Sequence, residues 1–210
     1  MREAVIFDMD GVIIDSEPLW KKSIIHIMKQ HGFDFDIDMC NRTKGMRVDE
    51  VTEFWKQELS ANFDSKKTAE EIVNEVIRLI LIEGEEMPGL KKLLNRIKNN
   101  NLKIALASSS SMRIIDSVLT KLEIKDYFEI IQSAEFEEYG KPHPAVFITT
   151  AKKLTIEPKN CMVIEDSFHG VLAGKAANME VVAIPEKGES KLDKFIIADK
   201  IIESLDELTF

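Results

Sequence analysis

The chain has 210 residues, 44% hydrophobic and 31% charged, with a net charge of −9. That length fits one substantial domain, or a core domain carrying a smaller insert, and the apolar fraction excludes a disordered chain. The acidic balance argues against nucleic acid, two distant cysteines (Cys40 and Cys161) exclude a disulfide framework, and the longest apolar run, 76–82, is broken by Arg78 and far too short for a membrane span.

The first predicted element is a strand over residues 4–7, apolar throughout as expected of a strand covered on both faces. The apolar start is too short and too soon acidic for a signal peptide, so a cytoplasmic protein is expected. From Pro18 to Glu86 there is only helical periodicity. Trp20, Ile24, Ile25 and Met28 fit one stripe, Val51, Phe54 and Trp55 a second, and Ile72, Val76, Leu79 and Ile80 a third. Met87-Pro88-Gly89 stops this block. Helices over 90–98, 112–122, 144–154 and 168–178 then alternate with strands over 103–107, 129–132, 162–164 and 181–184. Strand alternating with helix predicts an α/β fold: a doubly wound, Rossmann-like, mostly parallel sheet. The expected organisation is a core domain of residues 1–14 and 87–210 with a helical insert over 15–86.

Four segments at predicted strand ends carry chemistry. Asp8-Met9-Asp10-Gly11 follows the first strand, and ligands of open α/β sheets bind at the carboxyl ends of strands. Two acids one residue apart can divide labour, one attacking phosphorus or binding a metal while the other moves a proton. Gly11 allows the backbone close to a phosphate. Taken alone, the pair also fits a polar turn. Ser108-Ser109-Ser110-Ser111 offers hydroxyls and free N–H groups for a phosphate, or simply a helix N-cap. Lys141, between Gly140 and Pro142, can neutralise a phosphate and a nucleophilic carboxylate, or be a plain loop lysine. Glu165-Asp166 ends a strand with hard oxygen ligands that suit Mg²⁺, or caps the next helix. The order of the four along the chain is harder to produce by chance than any one of them.

Asp8-Met9-Asp10-Gly11-Val12, Ser108, Lys141 and Glu165-Asp166 resemble, in order, the four motifs of the haloacid dehalogenase superfamily, and the resemblance covers essentially the whole chain. Asp15-Ser16-Glu17-Pro18-Leu19-Trp20, Gly45-Met46-Arg47-Val48-Asp49 and Gly140-Lys141-Pro142-His143-Pro144 resemble its β-phosphoglucomutase-like branch, in particular the hexitol-phosphate and 2-deoxyglucose-6-phosphate phosphatases. The resemblance implies that residues 15–86 form an α-helical cap domain and that the protein is a phosphatase of a small phosphorylated metabolite. It implies Asp8 as nucleophile and Asp10 as general acid and then base. Ser108, Ser109 and Lys141 would hold phosphoryl oxygens. Mg²⁺ would rest on the Asp8 carboxylate, the Asp10 carbonyl and Asp166, with Glu165 adjacent. A monomer with no nucleic-acid or membrane partner is expected.

Haloacid dehalogenases lack an acid at the position of Asp10, so its presence favours phosphoryl transfer. β-Phosphoglucomutases carry a histidine where this chain has Trp20. Their second-phosphate arginine and asparagine align with Val48 and Met112, although Arg47 stands one residue away. Hydrolysis is thereby favoured over phosphate relocation, the alternatives being a mutase or a non-catalytic phospho-ligand-binding module. In the cap loop, Lys44 and Arg47 are candidates to hydrogen-bond sugar hydroxyls, with Gly45 making the turn. The other reading of this loop is a solvated basic connector. Trp20 is expected near the substrate.

Overall fold

Six parallel strands form one sheet: β1 (Ala4–Phe7), β2 (Lys103–Ser108), β3 (Ile130–Ser133), β4 (Cys161–Glu165), β5 (Glu180–Ala183) and β6 (Lys200–Ile201). Their order is β3-β2-β1-β4-β5-β6, so β1 is central. The computed structural model describes residues 2–186 and 193–210. Every residue of β1 and β4 is buried. Side chains alternate between two cores, as period-two geometry requires. Val5, Phe7, Leu106 and Ile164 enter one, and Ala4, Ile6, Ala107 and Val163 the other.

Helices cover both faces. α5 (Leu90–Asn99) and α6 (Met112–Leu122) bury their apolar stripes in the first core, α7 (Ala145–Leu154) and α8 (Phe168–Ala176) in the second. This is the doubly wound arrangement expected from the alternating pattern. α8 begins at Ser167, whose hydroxyl accepts the Gly170 N–H at 3.1 Å, a standard N-cap. Gly170 then passes so close to the sheet that a Cβ there would lie 1.7 Å from Glu165 Oε1. Gly170→Ala is therefore expected to destabilise the protein by about 3 kcal/mol, the upper end of what overpacking costs. In a thermal melt that reads as a fall of roughly 6–12 °C.

Between β1 and α5 lie four helices: α1 (Glu17–Gln30), α2 (Ile37–Arg42), α3 (Val48–Glu58) and α4 (Ser65–Glu83). Pro18 opens α1, where its missing N–H costs nothing. Asp36 and Asp64 cap α2 and α4 by accepting the Met39 and Lys67 N–H groups at 2.8 and 3.1 Å. α4 packs on α1, α3 and α6, extending the first core into this block. The chain leaves and rejoins the sheet through a short antiparallel crossing. Asp15 N–H donates to Glu85 O at 3.1 Å and Met87 N–H to Ile13 O at 2.9 Å.

Three details differ from the sequence expectation. β6 was not expected; its two residues are exposed and carry no apolar run. α8 stops at Ala176 instead of 178, because Asn178 takes a left-handed φ of 59°. The buried stripe of α1 is Leu19, Ile24, Ile27 and Met28, while Trp20 and Ile25 are only partly covered. Trp20 packs at the edge of the core with its indole N–H directed at Asp10 beyond the end of β1.

Candidate active site

The register pairs Phe7 with Leu106 on one side and with Ile164 on the other. Asp8 therefore emerges from the centre of the sheet level with Ala107 and Glu165, and its N–H donates to Ile164 O at 2.9 Å. The turn that follows needs Gly11 twice over. Its φ is +72°, and a Cβ would stand 2.5 Å from Asp166 Oδ2.

Charge is concentrated here and almost dry. Lys141 Nζ lies 2.6 Å from both Asp8 Oδ1 and Glu165 Oε1, with all three side chains buried. It also sits over the Phe147 ring, 4.9 Å from the centroid. Glu165 Oε2 accepts the Ser167 N–H at 2.9 Å and its hydroxyl at 3.0 Å. Asp166 Oδ2 pairs with Lys44 Nζ at 2.9 Å. Carboxylate oxygens of Asp8, Glu165 and Asp166 lie within 4.8 Å of one another.

Burial pushes the Asp8 carboxyl up to about 8, opposed by Lys141 and reinforced by the Glu165 and Asp10 charges. Burial likewise drives Asp166 well above the usual carboxylate range, with Lys44 pulling the other way. For Lys141, burial disfavours the charge, but Asp8 and Glu165 outweigh it and hold the ammonium above its ordinary value.

Asp10 is held by three donors. Ser16 Oγ at 2.5 Å and Trp20 Nε1 at 2.8 Å reach Oδ1, and Ser110 Oγ at 2.7 Å reaches Oδ2. Ser16 and Trp20 are one helical turn apart, which places both on the face of α1 that looks at Asp10.

The structure thus brings Asp8, Asp10, Trp20, Lys44, Gly45, Ser109, Lys141 and Asp166 around one cavity, with Ile24, Met46, Val48 and Val51 as an apolar wall. Ser109 Oγ donates to Gly45 O at 3.0 Å, and His169 Nδ1 lies 3.1 Å from Lys44 O, so the 43–47 loop is seated on the sheet's carboxyl end. Glu165 sits beneath the cavity against Lys141. Ser108 is fully buried, its hydroxyl accepting the Ser110 N–H at 3.0 Å.

Arg47 is not brought to the cavity. Its guanidinium donates to Ala134 O at 3.1 Å and Glu137 O at 2.9 Å, and pairs with Asp49 at 3.2 Å. His26 is exposed on α1, and His31 pairs with Glu71 at 2.7 Å.

Four residues at the site take no individual role from the sequence, three of them standing there only within motif segments: Ser16 and Ser110, which grip Asp10, and Glu17 and Lys21, which line the cavity. An available signal was the i, i+4 spacing of Ser16 with Trp20 and of Glu17 with Lys21.

A parallel sheet with acids at the ends of its central strands defines an α/β enzyme with a polar, anion-handling centre. The model of the haloacid dehalogenase-like hydrolase family matches residues 5–184, and the chain belongs to that family. Hexitol phosphatase B of Escherichia coli (strain K12) is 36% identical over 210 residues, covering 98% of this chain and 94% of the relative. β-Phosphoglucomutase of Bacillus subtilis (strain 168) is 34% identical over 214 residues, covering 99% and 92%. The crystal structure of β-phosphoglucomutase from Clostridium difficile superposes with a TM-score of 0.86 at 33% identity, covering 100% of this chain and 94% of that one.

Proposed function

We propose that this protein is a Mg²⁺-dependent phosphatase of a small phosphorylated sugar or sugar alcohol, acting as a monomer through a phosphorylated Asp8, with residues 15–86 as its cap domain. The observation that carries the reading is the Asp8 carboxylate, 2.6 Å from Lys141 at the end of the central strand, with Asp10 held beside it by three donors.

The metal requirement is tested by the donor set. Three buried carboxylates within 4.8 Å, two of them raised by burial, form a hard-oxygen cluster whose anionic form a small divalent cation would favour. Asp8 and Asp166 would hold Mg²⁺, with the Asp10 carbonyl and Glu165 nearby. When bound, the ion supplies positive charge that screens carboxylate from phosphate and polarises phosphoryl oxygens.

Asp8 Oδ attacks phosphorus, and the bond from phosphorus to the leaving oxygen breaks. Asp10 gives that oxygen a proton. Asp10 then takes a proton from water, which attacks the phosphorus of the acyl phosphate, freeing inorganic phosphate and restoring the Asp8 carboxylate. Lys141 screens the attacking carboxylate, and the serine segment at the end of β2, Ser108 and Ser109, orients the phosphoryl group.

Hydrolysis is preferred to phosphate relocation because a relocating enzyme must hold two phosphates. Arg47 is spent on carbonyls outside the cavity, and Lys44 is bound to Asp166. The test is phosphate release from sorbitol 6-phosphate, 2-deoxyglucose 6-phosphate, glucose 6-phosphate, β-glucose 1-phosphate and pyrophosphate. Release with Mg²⁺ is expected, falling at least about tenfold with EDTA. Conversion of β-glucose 1-phosphate to the 6-phosphate without free phosphate would establish the mutase instead.

A further inference from the structure

Glu17 is the carboxylate in the cavity that the proposed chemistry does not use. It stands in the first turn of α1, lines the same cavity as Asp8 and Asp10, and its side chain is only 14% exposed. Among the described residues no group donates a hydrogen bond to it, and its nearest cation, Lys21 Nζ, is 3.9 Å away. Lys21 in turn lies 3.5 Å from Glu186, and Lys44 lies 2.9 Å from Asp166. Each cation around Glu17 thus already has another carboxylate. A largely desolvated acid with open acceptor sites is costly unless something meets it. Burial raises its carboxyl to about 7, with Lys44 opposing and Asp10 adding to the shift, which is the mark of an acid short of partners.

The occupant that fits is an uncharged, hydroxylated leaving group. Its O–H groups are donors where Glu17 offers acceptors, and the apolar lining of Ile24, Val48 and Val51 receives its carbon skeleton. A second anionic group would meet Glu17 and Asp10, while the cations that line the cavity, Lys21, Lys44 and Lys141, each already face a carboxylate. Resting on the phosphatase reading above, we propose that Glu17 is a specificity-determining residue: it accepts hydrogen bonds from hydroxyls of the leaving alcohol and turns away substrates carrying a second phosphate.

The test compares wild type, Glu17→Ala and Glu17→Gln on sorbitol 6-phosphate, p-nitrophenyl phosphate and glucose 1,6-bisphosphate. A hydrogen bond to a charged group is worth on the order of 10- to 100-fold in affinity. Glu17→Ala is expected to lose that much kcat/KM on sorbitol 6-phosphate, mainly through KM. The ratio of sorbitol 6-phosphate to p-nitrophenyl phosphate activity should fall at least about fivefold. Glu17→Gln, which keeps shape and one acceptor but no charge, should recover part of the sorbitol 6-phosphate loss. Its activity on the bisphosphate relative to the monophosphate should rise. Wild-type activity on both monophosphates with ratios unchanged in both variants overturns the Glu17 assignment alone. A folded wild type that releases no phosphate from any of the three overturns the phosphatase reading and this inference with it.

Discussion

Asp8→Asn is expected to lower phosphate release at least about a thousandfold, the scale on which removal of a covalent nucleophile acts, while the protein stays folded. The amide matches the carboxylate in shape but is no nucleophile, so only the chemistry is removed. Lys141 keeps Glu165 at 2.6 Å, and the β1 register does not depend on the side chain. A residual rate within tenfold of wild type, in folded protein, would remove Asp8 from the mechanism. Stability supplies a second readout with a definite sign. The folded Asp8 carboxyl is raised to about 8 from an ordinary 3.8, so between those values the folded state holds a proton that the unfolded chain has released. That contribution is fully present below about pH 4 and is lost as pH rises through 8. In EDTA, wild type should therefore lose stability relative to Asp8→Asn across this window, as read from urea midpoints.

Lys141→Met carries the second large effect. It leaves Asp8 and Glu165 facing each other beside Asp166 with their shared cation gone. Removing one partner from a buried ion pair costs about 3–5 kcal/mol. For a chain of this size that is a fall of roughly 6–20 °C in Tm. Loss of a preorganised charge at the reacting group should lower kcat by on the order of 100- to 1,000-fold. Mg²⁺ should raise the Tm of the variant more than that of wild type, because the ion meets a cluster with more uncompensated negative charge. Equal melting of the two proteins in EDTA would show that Lys141 is not what holds the carboxylates together.

The strands near the middle of the sheet were legible because both their faces are buried. β1 is apolar end to end and β4 is apolar up to its final Glu165, and no turn residue interrupts them. β6 was not, since two exposed residues at an edge have no pattern to read. The acids at strand ends were legible for the same topological reason: a parallel sheet delivers the residues after its central strands to one place. What sequence could not supply was rotation about a helix axis. Trp20 fits the apolar stripe of α1 and is also expected near the substrate; its indole N–H finds Asp10, and Glu17 and Lys21 line the same cavity. Charged residues on an amphipathic helix ordinarily face water, and only their i, i+4 spacing hinted that those two share a face. Arg47 failed in the opposite sense. A basic residue in the cap loop suggested substrate, but backbone carbonyls after β3 already occupy its guanidinium.

The antiparallel crossing at Ile13–Asp15 and Glu85–Met87 has a consequence for how such a molecule can change over evolutionary time. Because the chain departs and returns at adjacent points, everything strung between them is a cassette on one clasp. No strand of the sheet lies between those two points, so a change of length among the helices there inserts nothing into the strand order. Any such exchange would have to carry along the few side chains that reach the strand ends, Ser16 and Trp20 on Asp10 and Lys44 on Asp166, so the joint is free to be spliced only where those three contacts are kept.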